Sequence, residues 1–376
     1  MRTWRSTALA VAVTLAAGAA LVTPATAETP AAGAAHEPRW EISLAGSLPD
    51  GAWLKSVTSA GRSAWAVGSE SIYEGTADGV VLRWDGRRWR QDRDPALPPV
   101  HYWNSVDASS AHDVWAYGWN DDGEYVVRHD GRRWRQVPPP ELPGGENHGA
   151  AEVAAGSHRV WLAGREWLST YAHGSWTSEK LPRGVDVIDV DSRSSRSAWA
   201  VGGFWHVGEE SRPLVMRWQD GAWTETAAPD DPDLRLTDVH VASDRSVWAA
   251  GRVPAADGEG FAEPRVYHWN GRTWRDVTGP VAGLFAESVT GDGRGGIWLS
   301  GDPYGWAGPP VFWHYDGHRW TRHEGAAVTA GETQAHEVSD LAPGTWGGGP
   351  WAVGSYAHVE GTTAYQHELI ERLGRR

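Results

Sequence analysis

Apolar and polar positions alternate along this chain in short runs divided by turn residues, and no stretch repeats its apolar residues with helical spacing. Alternation of period two marks half-buried strands. In the first clear unit the runs are Leu54–Thr58, Ala64–Gly68, Val80–Asp85 and Arg88–Gln91, labelled strands a to d. Strand b ends in a Trp-x-x-Gly pattern that occurs seven times, at Trp65/Gly68, Trp115/Gly118, Trp161/Gly164, Trp199/Gly202, Trp248/Gly251, Trp298/Gly301 and Trp351/Gly354. Its tryptophans lie 50, 46, 38, 49, 50 and 53 residues apart. Four short strands recurring at that period predict the blade of a β-propeller.

A second tryptophan follows a polar-glycine turn in six of the seven repeats. The turns are WDGRRW ending at Trp89, HDGRRW at Trp134, AHGSW at Trp176, QDGAW at Trp223, WNGRTW at Trp274 and YDGHRW at Trp320. Asp-Gly and Asn-Gly supply the positive φ that a tight hairpin between strands c and d requires. Six repeats have this strand-d tryptophan, and the seventh stops at LIERLGRR (Leu369–Arg376), where one is due. Trp40, near the other terminus, lies 25 residues before Trp65, and Trp89 lies 26 before Trp115. The N-terminal strand is therefore expected to supply the outer strand of the last blade, pairing both ends and closing a ring of seven with no open join.

A strand b ending in glycine, an aromatic-Asp turn and a strand-d tryptophan resemble the repeats of Kelch-type propellers. The strand-c to strand-d turn also resembles the Asp-box hairpins of sialidase-like propellers. The resemblance implies the fold alone: a single glycine replaces the Kelch pair in most repeats, the Asp-box serine and its Asp-x-Gly spacing are missing, and no catalytic motif of either family matches. Galactose oxidase chemistry needs a cysteine, and the chain has none.

Residues 1–27 read as a cleaved signal peptide. Arg2 and Arg5 precede the apolar run Ala8–Val22 and the Ala25-Thr26-Ala27 site. Residues 28–36 read as a linker and 37–376 as the propeller. The mature chain is expected to start at Glu28, to be secreted, to be a monomer and to insert in no membrane. The abundance of Ala, Gly, Arg and Trp resembles that of an actinomycete protein. With no disulfide available, stability must come from closure and from burial of the 26 tryptophans. The net charge of −14 repels phosphate backbones, and no basic stripe with interleaved aromatics offsets it, so nucleic acid is not an expected partner.

Repeating residues answer structural needs, so function is sought in what departs from the repeat. The connections between strands b and c vary, and they carry aromatics beside acids. The candidate ligand-binding residues are Tyr73, Trp119, Asp121, Asp122, Trp205, Glu209, Phe261, Tyr304, Trp306 and Tyr356. Exposed aromatics beside carboxylates suit a sugar ring or a protein anchor. The reading is a secreted, non-enzymatic protein that recognises an extracellular carbohydrate or cell-surface ligand. A protein-interaction scaffold is the alternative, and a propeller hydrolase or lyase the second. Neither a catalytic set, a cofactor nor a metal site is expected: the histidines form no HExxH, and neither DDPD (Asp230–Asp233) nor NDDGE (Asn120–Glu124) has calcium-loop spacing. Trp53, Trp103 and Trp346 are expected to pack at the rim.

Overall fold

The seven repeats become seven antiparallel sheets of four strands, six of them pairing in sequence order, a to b to c to d, and the seventh taking its outer strand from the N-terminal side. The computed structural model describes residues 38–374 apart from 73–76, 143–150, 205–211, 255–261, 304–307, 329–331 and 361–362, and apart from the side chains of 303 and 332–334. Blade 1 comprises Trp53–Ala60, Ser63–Glu70, Asp78–Trp84 and Trp89–Gln91. The innermost strands of blades 2 to 7 are Tyr102–Ser110, Glu152–Gly156, Val185–Ser194, Arg235–Ser243, Leu284–Gly291 and Glu332–Ala342. No helix among the described residues is long and apolar enough to cross a membrane.

Closure follows the expected route. In blade 7 the outer strand is Trp40–Ala45, which pairs antiparallel with Thr363–Leu373, Trp40 facing Leu373. The following turn is tied down as well. Fully buried Glu368 accepts hydrogen bonds from the Ser47 amide at 2.6 Å and the Ser47 hydroxyl at 2.7 Å, and Asp50 Oδ1 accepts the Gln366 amide at 2.9 Å.

One rule governs the aromatic core. The strand-b tryptophan of one blade meets strand-c or strand-d aromatics of the next: Trp161 meets Trp218 and Trp223, Trp199 meets Trp269 and Trp274, and Trp65, Trp115 and Trp248 meet His129, Tyr171 and Tyr315. The rule runs through the join, where Trp351 of blade 7 lies 5.0 Å from Trp84 and 5.1 Å from Trp89 of blade 1. The repeated glycine has an equally local cause. A Cβ added at Gly68, Gly118, Gly202, Gly251, Gly301 or Gly354 would strike a strand-a carbonyl, respectively that of Trp53, Tyr102, Asp186, Arg235, Phe285 or Glu337. Only a residue without a side chain lets strands a and b approach so closely. In blade 3 the obstacle is the ring of Trp167.

Candidate functional site

The innermost strands surround a channel of about 1110 Å³ to which all seven blades contribute. Six of those strands carry a β-bulge at the same place, between Leu54/Ser56, Trp103/Ser105, Val187/Asp189, Leu236/Asp238, Ala286/Ser288 and Val338/Asp340. A bulge takes a backbone amide out of the ladder, and that amide needs another acceptor. The neighbouring blade supplies it. The amide of Val106 donates to Ser56 Oγ at 3.3 Å and Val239 to Asp189 at 2.8 Å, and in blade 3, whose inner strand has no such bulge, Val153 donates to Ser105 Oγ at 3.0 Å. Val289 donates to Asp238 at 2.7 Å, Leu341 to Ser288 Oγ at 3.0 Å, and Val57 to Asp340 at 2.8 Å. Glu152 takes the equivalent place in blade 3 and accepts a hydrogen bond from Ser105.

These carboxylates are half-buried, open to the channel and otherwise surrounded by protein, and their ionisation reflects it. Burial, above all, pushes Glu152 up to about 8, Asp107 to about 7 and Asp340 to about 6. Asp189 and Asp238 hydrogen-bond each other. Burial and then the Asp189 charge hold Asp238 well above the usual carboxylate range. Clustered perturbed carboxylates often mark a reaction centre. Here the bonds between blades account for them.

The chemistry changes at the end where strands b and c connect. There the channel is lined by Lys55, Arg165, Arg183, Arg235 and Arg252, set among Glu166, Asp186 and Glu287. Arg165 stands 3.9 Å from Asp186, Arg252 bonds Glu287 at 2.5 Å, and Glu166 accepts the Gly184 amide at 2.8 Å. Asp302 lies nearby, raised to about 7 by burial and then by the charges of Glu337 and Glu287. This end presents cations in a chain of net charge −14, above a wall of carboxylates. Such a mouth can take a segment bearing both signs of charge, its anionic end outermost. No three His, Cys, Asp or Glu side chains among the described residues converge to hold a metal.

The sequence-predicted residues are placed unevenly. Tyr73, Trp205, Glu209, Phe261, Tyr304 and Trp306 lie outside the described residues. Trp119 sits within strand b of blade 2 (Asp113–Asn120) rather than in a loop, because alternation continues up to the two-residue turn Asp121-Asp122. Its half-buried ring lies on Tyr102, centroids 5.1 Å apart and planes at 29°. Asp121 is 89% exposed and 3.9 Å from His101, and exposed Asp122 donates its amide to Asn120 Oδ1 at 2.9 Å. Tyr356 requires correction as a loop ligand. It lies inside strand b of blade 7 (Trp351–Glu360), 5% exposed, with ring contacts to His336, His358 and His367, since this hairpin pairs as far as Glu360/Thr363.

Trp103 is buried, and the Trp53 indole donates to Ser339 Oγ at 2.9 Å, as expected of rim packing. Trp346 departs from that expectation at 67% exposure. The channel-lining polar residues were missed although a signal exists. A serine or carboxylate precedes every strand-b tryptophan by nine to eleven residues, from Ser56/Trp65 to Asp340/Trp351.

No family model matches the chain, and no curated protein matches it. Solved structures do. The chain is similar to YCF48 bound to D1 peptide at a TM-score of 0.56 and 16% identity, over 91% of this chain and 97% of that one. YCF48 from Cyanidioschyzon merolae gives 0.54 and 13%, over 88% and 98%. The β-propeller domain of the Trilobed protease from Pyrococcus furiosus gives 0.53 and 8%, over 84% and 92%. At these identities the likeness is one of fold: the chain is a seven-bladed, all-β propeller.

Proposed function

We propose that this chain is a non-catalytic recognition propeller that takes a protein or peptide segment at the mouth of its channel where strands b and c connect. The observation that carries the reading is the set Lys55, Arg165, Arg183, Arg235 and Arg252 around a cavity of about 1110 Å³ with carboxylates beneath. A rigid ring holding charges of both signs gives orientation and specificity to a charged segment. The similar ring of YCF48, solved with a peptide bound, fits this use of the fold. Panning a random peptide library against the wild-type ring, with an Arg165→Glu/Arg183→Glu ring as counter-selection, tests it. Enrichment of acidic-ended peptides that the variant does not retain is expected. Equal retention by both rings would remove the mouth from the reading.

A second reading, carbohydrate recognition, is favoured by one observation. Trp119 lies flat on Tyr102 beside exposed Asp121 and Asp122, an aromatic surface flanked by acceptors of the kind a sugar ring uses. A glycan array probed with wild type and Trp119→Ala separates the two. Signals abolished by Trp119→Ala and untouched by Arg165→Glu/Arg183→Glu would favour the sugar. Under either reading the protein acts outside the cell after cleavage behind Ala27, which N-terminal sequencing of secreted protein tests by finding Glu28 first.

A further inference from the structure

The opposite face of the ring carries a feature that the reading above does not use. Each strand a turns into its strand b beside the far end of the channel. The last residue before strand b, or the tip of the longer turns, is Arg62, His112, His158, Arg196, Arg245, Arg294 and Trp346 in blades 1 to 7. All seven are exposed. Local geometry explains why they point outward. The amides of His112, Arg196 and Arg245 donate to the serine two residues earlier at 3.3, 3.4 and 3.3 Å, and that of Arg294 to Asp292 at 2.7 Å. The turn is thus closed through the backbone, and the basic side chain takes no part in it.

None of the four arginines forms an ion pair among the described residues. Of the acids in these turns, Asp292 is occupied by the amides of Arg294 and Gly296 and by His314, which leaves Asp244. The turns between strands c and d, on the same face, add Arg88, Arg133 and Arg272, while their Asp85, Asp130 and Asp316 bond the amides of their own turns and pair with Arg90, Arg135 and Arg319, and Asp220 stands exposed in the blade 4 turn. A net charge of −14 makes a circle of cations a local arrangement and not a consequence of composition.

The seventh position supplies an independent observation. Trp346 is held at φ 39°, ψ 62°, in the left-handed region that a bulky side chain rarely adopts. Its loop is pinned from below: buried Thr345 bonds the Arg372 guanidinium at 3.0 Å, and that guanidinium stacks 4.5 Å over Trp351. The guanidinium of Arg62, from the next blade, stacks 4.1 Å over the Trp346 ring. Stacking leaves the guanidinium edge and its N–H groups open to an anion. A strained backbone holding an aromatic in water, next to a cation, is the kind of outlier that points to a ligand.

We infer that this face binds an acidic polysaccharide, its carboxylates or sulfates meeting the ring of Arg62, Arg196, Arg245 and Arg294 and one sugar ring stacking on Trp346. A lone aromatic within a circle of cations fits a charged sugar chain better than single-stranded nucleic acid, which is bound through successive stacking platforms along a groove. The test uses immobilised polygalacturonate, with neutral dextran and an oligothymidylate as comparisons, on the full mature chain. Polygalacturonate binding that falls steeply with salt is expected, with no retention on dextran. Replacing the four arginines by alanine should weaken it about 30-fold or more at low salt, on the order of that many ion contacts at a surface. Trp346→Ala should weaken binding with an unchanged salt slope. All substituted side chains are exposed, and melting curves confirm that the variants fold. Absence of polygalacturonate binding, equal binding by the arginine variant, or tighter binding of the oligothymidylate would overturn the inference.

Discussion

Trp40 lies flat against Phe312, ring centroids 3.7 Å apart and planes at 16°, with the edge of Trp298 at 5.5 Å. A residue near one terminus of the ring thus fills the slot that a strand-d tryptophan fills in every other blade, and binds blade 7 to blade 6. Replacing Trp40 by alanine is expected to cost about 3 to 5 kcal/mol, as for other buried tryptophans. Deleting residues 28–45 should lower the melting temperature sharply, whereas deleting 28–35 should leave it unchanged. Equal melting of the two deletions would refute closure by this strand.

The channel carboxylates give the ring a pH dependence of defined sign. Asp107, Glu152 and Asp340 have folded values of about 7, 8 and 6, above the ordinary value near 4 of an unfolded chain. Between those limits the folded state holds more protons than the unfolded one, so stability falls as pH rises. Burial lowers His129, His268 and His336, which act oppositely, but only as pH drops below about 6.5. The melting temperature is therefore expected to be higher at pH 6.5 than at pH 8.5. Asp107→Asn should flatten that slope, since an amide oxygen can still accept the Ala155 N–H that Asp107 now accepts at 2.7 Å.

The strand-b glycines separate into two kinds. Gly202→Ala drives a methyl into the Asp186 carbonyl and should destabilise by roughly 1 to 3 kcal/mol, the usual range for overpacking against backbone. Gly164→Ala meets the ring of Trp167, a side chain that can shift, and should cost less. Denaturant melts of the two variants compare them. A larger loss at Gly164 would contradict the proposed close approach of strands a and b.

The fold was legible in the sequence because its determinants are local and repeated. The Asp-Gly turns, the strand-b glycine and the two tryptophans per blade recur wherever the structure needs them, and Trp40 betrays the closure by its interval from Trp65. The site was less legible. Trp119 and Tyr356 looked like loop residues since they follow the repeat's glycine, yet strands b and c pair beyond it. Asp189, Asp238 and Asp340 recur ten or eleven residues before a strand-b tryptophan, but that spacing does not tell which partner each meets. Only the ring geometry shows that a bulge turns each toward an amide of the next blade.

Binding of a charged segment where strands b and c connect is measured by titration calorimetry of one library-selected peptide against three rings. These are the wild type, Arg165→Glu/Arg183→Glu at the mouth, and Arg245→Glu on the opposite face. A loss of affinity of tenfold or more, about 1.4 kcal/mol, is expected for the mouth variant, with the opposite-face variant matching wild type. Equal affinity for wild type and mouth variant, or a loss confined to Arg245→Glu, would contradict binding at the mouth.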